Sequence, residues 1–160
     1  MHGGFEHRIG VLFVCLGNIC RSPLAEAAFR LEAERVGLDV EIDSAGTADW
    51  HVGKAPDPRS VAVAREAGID ISHLTARQVV QDDFRRFDHI FALDRKNLAD
   101  LLAMMPPDST AQVSLLLKTM PDRKSDDVDD PYYGSADAFA FTWTHVSQAA
   151  RSLVERLARS

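Results

Sequence analysis

The stretch IGVLFVCLGNICRSPLAEA, residues 9–27, decides the fold. Its opening, Ile9 to Cys15, is a short apolar run rich in β-branched residues, the composition of a strand buried on both faces. From Pro23 the pattern changes. LAEAAFRLEAERVG is built of helix formers, with proline in the first turn and Gly37 just past the end. Between the two lies a tight strand-to-helix connection, Cys15 to Ser22.

The rest of the chain repeats this alternation. Val40 to Ala45 alternates as a second strand. Gly46 to Pro58 is a Gly/Pro-punctuated loop, and Pro58 to Ala67 a helix closed by Gly68. His89 to Leu93 is a third strand. Asp94 then caps a helix carrying Leu98, Leu101, Leu102 and Met105, which Pro106-Pro107 stops. Val113 to Leu117 is a fourth strand, and Pro121 to Gly134 an aspartate-rich loop. From Ser135 a long helix bears one apolar stripe: Ala136, Phe139, Trp143, Val146, Ala150, Leu153 and Leu157. Strands alternating with helices imply right-handed crossovers and a parallel sheet. The expected fold is α/β: a single three-layer domain over residues 1–160, with a four-stranded parallel sheet (order 2-1-3-4) and helices on both faces. Such sheets bind ligands where loops leave the carboxyl ends of strands. Cys15 to Ser22 is the first of these loops.

Composition narrows the function. Of 160 residues, 46% are hydrophobic and 26% charged, as in ordinary globular chains. With 24 acids against 18 bases the net charge is −6, the wrong sign for a general binder of nucleic acid or anionic membrane. Two cysteines do not make a secreted disulfide scaffold. The apolar run at 9–15 is too short to span a membrane and lacks signal-peptide flanks. A cytoplasmic protein without membrane insertion is expected. The six histidines form no zinc pattern, and Gly53-Lys54 is followed by Ala55, not by the Ser/Thr of a P-loop. No metal or cofactor is expected.

The loop itself carries specific physics. A strand-loop-helix turn aims successive backbone N–H groups at one point, and the helix dipole adds positive potential there. Gly17 and Asn18 tolerate the left-handed backbone of a tight cradle. Arg21 can clamp two phosphoryl oxygens. A free cysteine is only about 3% ionised at pH 7, and the field of such a loop favours the thiolate. Ser22 can donate a hydrogen bond to the sulfur of Cys15. The pattern suggests nucleophilic attack on phosphorus. Taken one by one, Cys15 also fits a buried core thiol. Cys20 fits either a packing residue or a partner capping an oxidised Cys15. Spacing alone does not separate Asp130 from Asp126, Asp127 or Asp129. Tyr132-Tyr133 equally suits a packed corner, and His73 an ordinary satisfied histidine.

Four segments together resemble the low-molecular-weight protein tyrosine phosphatases: VCLGNICRSPLAEA (14–27), DSAGTADWHVGKAPDPRS (43–60), GIDISHLTARQ (68–78) and DDPYYG (129–134). The resemblance implies that Cys15 is the nucleophile, Arg21 the phosphoryl ligand and Asp130 the general acid. Backbone amides from Leu16 to Arg21, passing Gly17, Asn18, Ile19 and Cys20, would hold the phosphoryl oxygens, with Ser22 stabilising the thiolate. Trp50, Tyr132 and Tyr133 would wall in an aromatic ring, and Ser44 and His73 would support Asn18. Ile19 fits tyrosine-directed members, whereas phosphoarginine-directed relatives tend to carry a smaller polar residue there. The implied reaction is hydrolysis of phosphotyrosine through a phosphocysteine, releasing inorganic phosphate. The implied partners are phosphotyrosine-containing proteins, a tyrosine kinase among them. Arsenate reduction on the same fold, which relays oxidation through additional thiols, and non-catalytic phosphopeptide binding are the alternatives.

Overall fold

Strand β1 (Ile9–Cys15) lies inside a four-stranded parallel sheet, flanked by β2 (Val40–Gly46) and β3 (His89–Ala92), with β4 (Gln112–Leu115) beyond β3. The strand order is therefore 2-1-3-4, as expected. The computed structural model describes residues 8–122 and 125–159. No helix among the described residues is long and apolar enough to cross a membrane.

The near-continuous apolar character of β1 follows from its burial on both faces. Val11, Phe13 and Cys15 point into one core, with α1 (Arg21–Val36), α2 (Pro58–Glu66) and α5 (Ala136–Ala158). Leu12 and Val14 point into the other, with Phe84 of α3 (Asp83–Arg86) and Leu101 of α4 (Arg95–Met104). Register along β1 pairs Phe13 with Ser44 and Cys15 with Gly46, so β2 ends level with the loop that follows β1.

Local signals were reliable where one residue type satisfies one geometric demand. Gly37 ends α1 in the left-handed region at φ 72°. The Asp94 side chain caps α4 by accepting from the Asn97 N–H. Other expectations change. α1 starts at Arg21, two residues before Pro23. The fourth strand stops at Leu115, and Leu116–Thr119 turns into a 3₁₀ segment whose leucines remain buried. In α4, Leu102 is exposed, and Met105 lies past the helix end. α3 was not foreseen, being four residues long. The stripe on α5 is real from Phe139 to Leu157, widened by buried Thr142, Ala149 and Val154, while Ala136 is exposed.

Gly46 connects the sheet to the loop. A Cβ there would stand 2.7 Å from the Leu16 carbonyl oxygen and 3.2 Å from the Asn18 nitrogen. Gly46 cannot retreat, because its N–H donates to Arg77 O and its carbonyl accepts from Val79 N–H. Gly46→Ala should therefore deform the loop at Leu16 to Asn18 and destabilise the protein by about 1–3 kcal/mol, the usual cost of overpacking. Thermal denaturation and kcat measured on the same variant check this; a normal kcat would mean that the loop tolerates the push.

Candidate active site

The loop between β1 and α1 closes around a cavity of about 270 Å³. Cys15, Leu16, Gly17, Ile19, Cys20 and Arg21 line its base. Asp130 stands at one side, and Trp50, His51, Tyr132 and Tyr133 form the mouth. Tyr133 is 94% exposed and Trp50 66%, and the Tyr132 and Tyr133 rings meet edge-on at 4.9 Å. Neither tyrosine is a packed corner; both face the opening.

The sulfur of Cys15 lies 3.0 Å from Ser22 Oγ and accepts from the Asn18 N–H at 3.3 Å. Asn18 and Ser22 are not among the residues lining the cavity. Asn18 takes the left-handed conformation at φ 59°, and it is the non-glycine residue that does so among those described. Its carboxamide ties three segments together. Nδ2 donates to Ser22 Oγ at 2.8 Å and to Ser44 Oγ at 3.0 Å, while Oδ1 accepts from the Arg77 N–H at 3.0 Å. Ser44 in turn donates to Glu26 Oε1 at 2.7 Å. Both amide hydrogens being spent, each serine hydroxyl accepts from Asn18 and must send its own proton elsewhere. Ser44 sends it to Glu26. Ser22 has the sulfur at 3.0 Å, against 3.5 Å to Ala45 O. The network thus points a donor at the sulfur.

Gly17 is not left-handed. Its smallness serves a neighbour instead, since a Cβ would meet the His51 ring at 2.8 Å. His73 is exposed and lines a small cavity together with Asn18, Glu26 and Ser44, while the Arg77 backbone N–H closes on the carboxamide. Arg77 is itself fixed by Asp43 and by a two-pronged contact with Asp83. Glu26, Arg77, His51 and Asp94 were not read from the sequence as site residues.

Arg21 is 4% exposed. One end of its guanidinium is held by Asp94 Oδ2 at 2.7 Å and the Val128 carbonyl at 2.9 Å. The other end faces Asp130 at 3.8 Å. Burial works against the charge, but Cys15, Asp94 and Asp130 outweigh it and hold the group more firmly protonated than usual. Burial likewise pushes Glu26 above the ordinary carboxylate range, although Ser44 and Arg30 pull it back. The aspartate run is sorted by geometry: Asp127 is gripped by Arg95, Asp129 lines a separate cavity, and Asp130 reaches this one. The Asp130 Oδ1 accepts from Tyr132 N–H at 3.1 Å.

Cys20 is buried, at 5% exposure. Burial first, then the charges of Asp57, Cys15 and Asp130, push its thiol up to about 12. A raised value means the neutral thiol persists through the physiological range. Alkylation of Cys20 should therefore begin only above about pH 10. Peptide mapping after iodoacetamide treatment across a pH series checks this; a Cys20 adduct formed near pH 7 would contradict it.

Residues 10–160 match the family model described as low molecular weight phosphotyrosine protein phosphatase. A protein of that name from Schizosaccharomyces pombe is 45% identical over 94% of this chain and 97% of its own. The structure of YfkJ from Bacillus subtilis superposes with a TM-score of 0.90 at 37% identity, covering 98% of each chain. A drosophila arginine phosphatase superposes with a TM-score of 0.87 at 30% identity, over 92% of this chain and 96% of its own. The strand order, the cysteine–arginine loop and these likenesses place the chain in the low-molecular-weight phosphotyrosine protein phosphatase family.

Proposed function

We propose that the protein hydrolyses phosphotyrosine and related aryl phosphate monoesters through a phosphocysteine, the whole chain serving as one phosphatase domain. The observation that carries this reading is the convergence of the Cys15 sulfur, the Arg21 guanidinium and the Asp130 carboxyl on one small cavity with aromatic walls. In the first step the Cys15 thiolate attacks phosphorus, and Asp130 gives its proton to the departing phenol oxygen. Arg21 and the loop amides stabilise the three equatorial oxygens. In the second step Asp130, now carboxylate, takes a proton from water, which attacks the phosphocysteine and releases inorganic phosphate. Ile19 supports an aryl phosphate ester rather than an N-phosphorylated guanidine, because an apolar side chain in the cavity wall suits a ring and leaves a guanidinium unpaired. Phosphotyrosine-containing proteins of a reducing cytoplasm are the substrates that fit.

Hydrolysis of phenyl phosphate tests the reading. Activity should survive chelators and be lost when iodoacetate modifies Cys15, with inorganic phosphate protecting. Asp130→Asn should lower kcat/KM at least about a hundred-fold for a poor leaving group such as phenol, and far less for a dinitrophenolate, which departs without a proton. Equal losses for the two esters would remove Asp130 from the acid role.

A further inference from the structure

Arg59 joins the two halves of the site without lining the cavity. Its guanidinium forks onto Asp57, with Nε 3.0 Å from Oδ1 and one terminal nitrogen 2.9 Å from Oδ2. The same side chain donates to the Tyr132 carbonyl at 3.0 Å and to the Gly134 carbonyl at 3.0 Å. Its flat face covers the Phe139 ring at 4.3 Å. Asp57, for its part, is anchored twice. It caps α2 by accepting from Arg59 N–H, and its own N–H donates to the Ile19 carbonyl at 2.8 Å. Ile19 belongs to the nucleophile loop, and the Tyr132 N–H holds the Asp130 carboxyl. A continuous path therefore runs from Ile19 through Asp57 and Arg59 to Tyr132 and on to Asp130. Ser60, the next residue, adds a contact from α2 to the Cys20 carbonyl at 3.4 Å.

We propose that Arg59 is a positioning residue that sets the distance and angle between the proton donor Asp130 and the phosphate cradle. The inference rests on the role given to Asp130 above. Asp130 sits at 45% exposure in an aspartate-rich segment, and the Tyr132 N–H is its one neighbouring backbone donor among the described hydrogen bonds. The two carbonyls that Arg59 grips belong to Tyr132 and Gly134, and the Gly134 N–H donates to the Pro131 carbonyl at 2.8 Å, so the fork holds the turn that carries this donor. Burial pushes Asp57 upward, but its hydrogen bonds to Arg59 outweigh it and keep it below the usual carboxylate range, so the fork stays charged through neutral pH. Lysine could keep the ion pair but could not reach a carboxylate and two carbonyls from one nitrogen.

Arg59→Gln in the full chain tests this. For phenyl phosphate kcat/KM should fall about ten- to a hundred-fold, a share of what a positioned acid supplies. For a dinitrophenyl phosphate it should fall by less than about three-fold, and inhibition by inorganic phosphate should be unchanged, showing an intact cradle. Arg59→Lys should show the same widening between esters. In an Asp130→Asn background, Arg59→Gln should add no further loss, because both changes remove one function. Parallel losses on both esters, full recovery by lysine, or additive effects with Asp130→Asn would each overturn the proposal while leaving Asp130 as the acid. If Asp130→Asn alone shows no leaving-group dependence, the acid role fails, and this proposal with it.

Discussion

Cys15→Ser should abolish turnover, with a loss on the order of 10⁵–10⁶-fold, while inorganic phosphate still binds. The serine hydroxyl fits the space of the sulfur and keeps the cradle, but it offers no anion at neutral pH. The donors aimed at position 15 show how specific the demand is. Ser22 and the Asn18 N–H both point at the sulfur, at 3.0 and 3.3 Å, and a neutral hydroxyl would leave them serving no charge. Phosphate titration by calorimetry separates lost chemistry from lost binding. A serine variant retaining a tenth of the activity would end the phosphocysteine reading.

Arg21→Lys should reduce kcat/KM by about 10²–10³-fold, the range for removing an electrostatic donor from a transition state. The guanidinium does two jobs at once. One end is committed to Asp94 and Val128 O, and the other, facing Asp130 at 3.8 Å, is the end proposed to meet the phosphoryl oxygens. A lysine ammonium must choose. Facing phosphate, it strands a carboxylate and a carbonyl that arginine satisfied; facing Asp94, it abandons the substrate. Kinetics on phenyl phosphate together with phosphate inhibition check this. Losses below ten-fold in both would show that a single point charge suffices.

Much of the fold was legible because its signals are local. Ile9–Cys15, the glycine after α1 and the Asp94 cap each needed only a few adjacent residues. Where the reading failed, periodicity had no power to decide. Leu116 and Leu117 are buried whether the backbone is strand or 3₁₀, so an apolar run extended β4 too far. Leu102 looked like core because of what it is, yet it faces solvent. The site divides the same way. Cys15, Arg21 and Ser22 lie close in sequence, at the end of β1 and the start of α1, and were visible by spacing. The groups that hold them come from far along the chain. Asp94 reaches Arg21 across 73 positions, Val128 across 107, and Arg77 meets Asn18 across 59. A buried Glu26 on α1 reads as a surface helix residue until β2 is laid beside it. Singling out Asp130 within its run likewise needed family resemblance first and coordinates afterwards.

The carboxamide of Asn18 has a kinetic corollary. A loop whose shape is locked from behind by its own chain has little ordering entropy left to lose when a tetrahedral oxyanion arrives. Such ligands should meet a ready-made receptor, so differences in potency among them should lie in residence time rather than in speed of capture.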